Sequence, residues 1–130
     1  MIIDTNVYRA FMDGESAVRQ HILFSEHLLV PLVVAAELYK GFLGGSRPEE
    51  NKIEWEKFMV ATRAEIVCPA LSTAERFAEL AVYCRRHGRV LSDNDLWVAA
   101  TALETGEPLL TLDKDFMVFD SYATLTVRMP

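Results

Sequence analysis

The chain has 130 residues, 51% of them hydrophobic and 25% charged, with five Pro and six Gly. That length lets roughly two thirds of the unfolded surface be buried, which implies a single soluble domain over residues 1–130, and the apolar fraction excludes disorder. With 13 basic against 19 acidic residues the net charge is −6, which excludes nucleic-acid binding by bulk charge alone but leaves room for a site where metal ions supply the positive charge.

Met1 to Ile3 is a short apolar run ending at Asp4-Thr5-Asn6. It reads as a buried strand feeding a helix through Val7, Tyr8, Ala10, Phe11 and Met12, broken at Asp13-Gly14. Glu15 to Phe24 carries Val18, Ile22 and Leu23 at helical spacing, Leu28 to Pro31 is a second buried strand, and Val33 to Leu43 is helical up to Gly44-Gly45. After Pro48 an amphipathic helix holds Ile53, Trp55, Phe58 and Met59, with Glu49 and Glu50 suitably placed in its first turn. Glu65 to Cys68 is a strand before Pro69. Ser72-Thr73-Ala74-Glu75 is a capping box opening a helix through Phe77, Leu80, Ala81 and Cys84, closed by Arg85, Arg86 and His87 before Gly88. Ser92-Asp93-Asn94-Asp95 opens another helix, which runs through Leu96, Trp97, Ala99, Ala100 and Leu103 to Gly106. Pro108 to Leu112 is a strand leading straight into Asp113-Lys114-Asp115-Phe116, and Ala123 to Val127 is the last strand. Short apolar strands alternating with amphipathic helices predict an α/β fold, a three-layer α/β/α sandwich around a short-stranded, mainly parallel sheet.

The longest apolar run, Leu28 to Ala36, is about half of the ~20 residues a bilayer requires and contains Pro31, so no membrane span is expected. The opening Met1-Ile2-Ile3-Asp4 has neither the basic nor the apolar region of a secretory signal, so the chain is expected to start here and stay in the cytoplasm. Cys68 and Cys84 lie at no zinc-ligand spacing and are expected to be buried, reduced thiols. His21, His27 and His87 are scattered and read as surface or capping residues. Trp97 reads as core rather than as a stacking platform for a base.

In an open α/β sheet the functional crevice lies at the carboxyl ends of the strands. Acids fall there: Asp4 after the first strand, Asp113 after the Leu109 to Leu112 strand, Asp95 in the first turn of a helix, and Glu37 within one or two turns of the helix following Pro31. Taken singly, Asp4 is an N-cap, Asp95 the end of a capping box, and Asp113 and Asp115 turn residues. Glu37 is harder to set aside, because Val33-Val34-Ala35-Ala36-Glu37-Leu38 places a charge in an apolar helix and a buried charge needs a partner. Four carboxylates converging within about 5 Å would repel by roughly 3 kcal/mol per pair at an effective dielectric of about 20. Such a cluster requires a cation, and hard oxygen ligands select Mg2+ or Mn2+.

Asp4-Thr5-Asn6 after an apolar start, Glu37-Leu38-Tyr39-Lys40-Gly41, Asn94-Asp95-Leu96-Trp97-Val98-Ala99-Ala100-Thr101-Ala102-Leu103 and Leu110-Thr111-Leu112-Asp113-Lys114-Asp115-Phe116 resemble PIN domains. They are most similar to the VapC toxins of bacterial and archaeal toxin-antitoxin modules. The resemblance spans essentially the whole chain, and the Asn94 to Leu103 block is its most specific part. It implies that Asp4, Glu37, Asp95 and Asp113 are catalytic acidic metal ligands. Asp113 is assigned first and Asp115 as auxiliary, because PIN domains vary in which acid of the last motif reaches the metal. Thr5, Asn6 and Thr111 match positions whose side chains support the site by hydrogen bonds. Val34 departs from the pattern, standing where many VapC sequences carry Thr; this alters the surroundings of the ligands but removes none of them.

The implied chemistry is hydrolysis of RNA phosphodiesters by a water activated by one or two Mg2+ or Mn2+ ions. Lys40, Arg85, Arg86, Arg89 and Lys114 are the candidate RNA contacts, although Arg85 and Arg86 are also what a helix C-terminus favours. A phosphatase of the haloacid-dehalogenase type would want Asp-x-Asp after the first strand, where the third position here is Asn6, and no Gly-rich phosphate loop is present. The remaining alternative is a non-catalytic PIN-like module that binds RNA or protein. A mean hydropathy of +0.12 suggests apolar surface left for association. The resemblance implies a homodimer and a cognate VapB-like antitoxin.

Overall fold

Successive residues of a strand point to opposite faces of a sheet, so a strand buried at every position must be covered on both sides. Ile2 and Ile3, and Leu109 and Leu110, are all fully buried. The computed structural model, which describes residues 1–122 and 124–130, shows why. Strands β1 (Ile2–Ile3), β2 (Leu29–Pro31), β3 (Glu65–Val67), β4 (Leu109–Leu110) and β5 (Val127–Arg128) form one sheet in the order β3-β2-β1-β4-β5. Every neighbouring pair is parallel, with Ile2 opposite Leu29 and Ile3 opposite Leu110. The sheet is flanked by helices α1 (Thr5–Met12), α2 (Ser16–Leu23), α3 (Leu32–Gly44), α4 (Pro48–Thr62), α5 (Leu71–Arg86) and α6 (Asp93–Thr105). This is the α/β/α sandwich that the alternation of elements predicts.

Local chemistry explains most of the element ends. Asp4 caps α1, its carboxylate accepting the Val7 N–H at 2.9 Å, and Ser92 caps α6, its hydroxyl accepting the Asp95 N–H at 3.2 Å. Gly106 closes α6 at φ 71°, a left-handed turn that a side chain would strain.

Three expectations are corrected. Helix α5 begins at Leu71 with Ala70 as its N-cap, two residues earlier than the Ser72 box implies. Thr73 does reach back, accepting the Ala70 N–H at 2.9 Å, but the Ser72 hydroxyl is drawn away to Glu104 of α6. The last strand is only Val127–Arg128; Ala123 lies outside the described residues, and Leu125 sits in a turn, its N–H bonded to Tyr122 O, with its side chain buried. Cys68 is exposed, whereas Cys84 is buried as expected, and burial pushes its thiol pKa up.

The Ser72–Glu104 and Phe77–Trp97 contacts show that α5 runs antiparallel to α6. The end of α5, with Arg85 and Arg86, therefore lies at the same end of the molecule as the start of α6. His87 caps that end of α5, and His21 and His27 are on the surface. No described helix is long and apolar enough to cross a membrane.

Candidate metal centre

Parallel strands deliver their last residues to one edge of the sheet, and helices returning from that edge present their first turns to it. Asp4 follows β1, α6 starts with Asp93, Asn94 and Asp95, and Asp113 opens a 3-10 helix (Lys114–Phe119) just beyond β4. Asp4, Glu37, Asp95 and Asp113 line one cavity of about 70 Å3, together with Thr5 and Asn6.

Asp4 is only 5% exposed, and both its oxygens are engaged. Oδ1 accepts the Val7 N–H, and Oδ2 accepts the Thr111 hydroxyl. One Asp4 oxygen thus serves the helix cap that the sequence suggests, and the other is held by Thr111 at the edge of the acid cavity. The same Thr111 hydroxyl accepts the Asp113 N–H at 3.0 Å, so one fully buried side chain ties the first acid to the last.

Glu37 finds the partners that its place in an apolar helix demands. Thr5 Oγ1 donates to its Oε2 at 2.6 Å, and Asn94 Nδ2 donates to its Oε1, also at 2.6 Å. Asp113 Oδ1 accepts the Asp115 N–H at 2.9 Å. Asp115 itself is exposed and does not line the cavity, although its charge is felt at Asp95.

The acids resist sharing this space. Burial raises the Asp4 pKa above its ordinary value, and the Asp95 and Asp113 charges add to that, while the Thr111 and Val7 hydrogen bonds pull it back. Burial also raises the Asp95 pKa; the Ser92 hydroxyl opposes this, and Asp113, Glu37 and Asp115 reinforce it. Mutual repulsion among carboxylates in a narrow cavity is what a cation would relieve.

The donor set fits a hard divalent cation, since oxygen carboxylates and no Cys or His line the cavity. Among the described residues, however, no three such side chains already converge on a single point as an ion would need.

Two contributors escaped the sequence reading. Asn94, recognised only as part of a motif, grips Glu37. Arg9 lines the acid cavity, and its signal was its place four residues after Thr5, one turn along the same helix. Of the candidate RNA contacts, Lys40 lies beside Arg9 in the hollow adjoining the acids, whereas Arg85, Arg86, Arg89 and Lys114 line neither space. Trp97 is not core: it is half-buried, rests on Phe77 with centroids 4.7 Å apart, and lines an apolar groove.

The sequence matches the PIN domain family over residues 1–122. Ribonuclease VapC5 of Mycobacterium tuberculosis is 25% identical over 97% of this chain and 92% of its own length. Ribonuclease VapC4 of the same organism is 30% identical over 75% of each. Among solved structures, VapBC2 of Rickettsia felis bound to a DNA fragment from its promoter has the same fold, with a TM-score of 0.84 at 20% identity over 99% of this chain and 97% of that one.

Proposed function

The chain belongs to the PIN domain family, and from that premise we propose that it is a metal-dependent endoribonuclease, the toxin of a VapBC-type toxin-antitoxin system, acting as one domain over residues 1–130. The observation that carries the reading is the cavity that Asp4, Glu37, Asp95 and Asp113 line together, with the Asp4 and Asp95 pKa values raised first by burial and then by neighbouring carboxylates.

These four carboxylates would hold one or two Mg2+ or Mn2+ ions, with Asp115 auxiliary at the rim. Bound there, the cation supplies the positive charge that draws in the scissile phosphate and makes the attacking water acidic enough to deprotonate near neutral pH. The protein's part is to hold the acids in place. Thr111 fixes Asp4 and the Asp113 backbone, and Thr5 and Asn94 fix Glu37. No side chain has to act as a nucleophile.

The partners are an RNA, a VapB-like antitoxin and a second copy of the chain. The antitoxin reading is supported by the VapBC complexes that share the fold. The rival reading, a PIN-like module that binds without cutting, draws on the separation of the acids among the described residues.

One experiment separates the two. Purified protein is incubated with a pool of structured RNA in EDTA, Mg2+ or Mn2+, beside an Asp4→Asn, Asp95→Asn double variant. Cleavage that needs the metal and disappears in the variant is expected. Absence of cutting in either metal, with RNA still bound, would leave the binding module.

A further inference from the structure

Parallel strands that bring Asp4 and Asp113 to one edge of the sheet bring the residues ahead of those strands to the other. Met1 and Pro108 stand there, one just before β1 and the other just before β4, and both line a hollow of about 620 Å3. It shares no residue with the acid cavity, from which the two strands separate it. Its volume falls within the roughly 300–1,000 Å3 usual for small-ligand sites.

The charges around this hollow are unevenly matched. The Met1 ammonium donates to Glu107 Oε2 at 2.7 Å and to His27 O at 2.6 Å, so the Glu107 carboxylate already has its counter-ion, and that hydrogen bond holds its pKa below the ordinary value. The other lining carboxylate, Glu26, is exposed. Arg128 of β5 also lines the hollow, and among the described residues it makes no ion pair. The His27 ring faces Glu65 and Glu107 at 3.7 and 4.0 Å, which leaves the His21 imidazole to turn with Arg128 toward an anion.

Phe24 supplies an apolar wall. It directly follows α2, is 85% exposed, and among the described residues no other aromatic ring packs on it. A phenyl ring left in water forgoes the free energy that covering it would return. Gln20, one turn earlier on α2, adds an amide that can both donate and accept. A planar heterocycle suits the ring and the amide together, and a phosphate suits Arg128, whose guanidinium can engage two of its oxygens at once. A phosphate alone would leave Phe24 in water, and a ring alone would leave Arg128 unanswered.

We propose that this hollow is a second ligand site, separate from the acids, which binds a nucleoside monophosphate with its base against Phe24 and its phosphate on Arg128 and His21. The site does not depend on the ribonuclease reading.

Protein in EDTA is titrated calorimetrically with AMP, with adenosine and with inorganic phosphate. AMP is expected to bind about tenfold or more tighter than either fragment. Phe24→Ala and Arg128→Gln should each weaken AMP binding about tenfold, whereas the Asp4→Asn, Asp95→Asn double variant should bind it as wild type does. Phe24 and Arg128 are both exposed, so the single variants are expected to fold, which circular dichroism checks. No binding of AMP, either fragment binding as tightly as AMP, or full affinity in either folded single variant overturns the proposal. Affinity lost in the double variant overturns it as well, because it places the nucleotide among the acids. Cleavage of RNA by wild type, measured separately, is untouched by any of these outcomes.

Discussion

The Thr111 hydroxyl donates to Asp4 and accepts from the Asp113 N–H, and it is fully buried. Thr111→Val keeps the shape but leaves a buried amide and a carboxylate oxygen short of a partner. We expect a loss of about 1–3 kcal/mol in denaturant unfolding and cleavage slowed about 10–100-fold; an unchanged rate in the folded variant would show that Asp4 is held in place without it. Asp95 behaves oppositely. Its raised pKa means that the folded chain keeps this proton to higher pH than the unfolded chain does. Its contribution to stability is therefore fully present below the ordinary value of 3.8 and is lost as pH rises through the raised value, leaving a penalty at neutral pH. Metal-free Asp95→Asn should melt above wild type at pH 7, the gap closing on acidification, whereas added Mg2+ should raise the melting temperature of wild type more than that of the variant. Thermal melts in EDTA and in Mg2+ across pH decide this, and a variant that melts lower at every pH would show that the Asp95 carboxylate stabilises the fold. Asp4 and Asp95 were legible in the sequence because they sit at a strand end and a helix start. The grip of Asn94 on Glu37 was not, because it joins residues 57 apart.

At the scale of elements, caps and breakers located most helices to within a residue, as at Asp4, Ser92 and Gly106. Helix α5 was misplaced for a tertiary reason. Ser72 fits a capping box in isolation, but its hydroxyl bonds Glu104 of the neighbouring helix, leaving Ala70 at the N-cap with no side chain to accept an amide. Ala70 has extended backbone, φ −109° and ψ −177°, which suits a capping serine. Ala70→Ser should therefore stabilise the protein by about 0.5–1 kcal/mol in denaturant melts, with cleavage untouched because Ala70 lines neither the acid cavity nor the hollow beside it. A destabilised variant would mean that the position is crowded. The fourth and fifth strands are shorter than their apolar runs: Leu125 is buried in the core and Leu112 packs against it, both from outside the ladder.

For the molecule as a whole, the spacing between α6 and the sheet decides whether the acids meet. Helix α6 packs on β1, and Ala99 and Ala100 are fully buried, so small side chains bring Asp95 close to Asp4. Ala99→Leu should cost about 1–3 kcal/mol by overpacking and should weaken Mn2+ binding measured calorimetrically, although Ala99 lines no part of the acid cavity. Full metal affinity in a folded variant would show that the acids are positioned independently of this packing. The sequence by itself determined the class of fold, the order of elements and the acids at the strand ends, because apolar period, caps and turn residues act over a few neighbours. Only the tertiary structure decided that Cys68 faces solvent, that Trp97 fronts a groove, that Asp113 rather than Asp115 lines the cavity, and that Arg9 and Lys40 stand together beside it. Each of these depends on how helices distant in sequence pack against one another, and no local pattern encodes that.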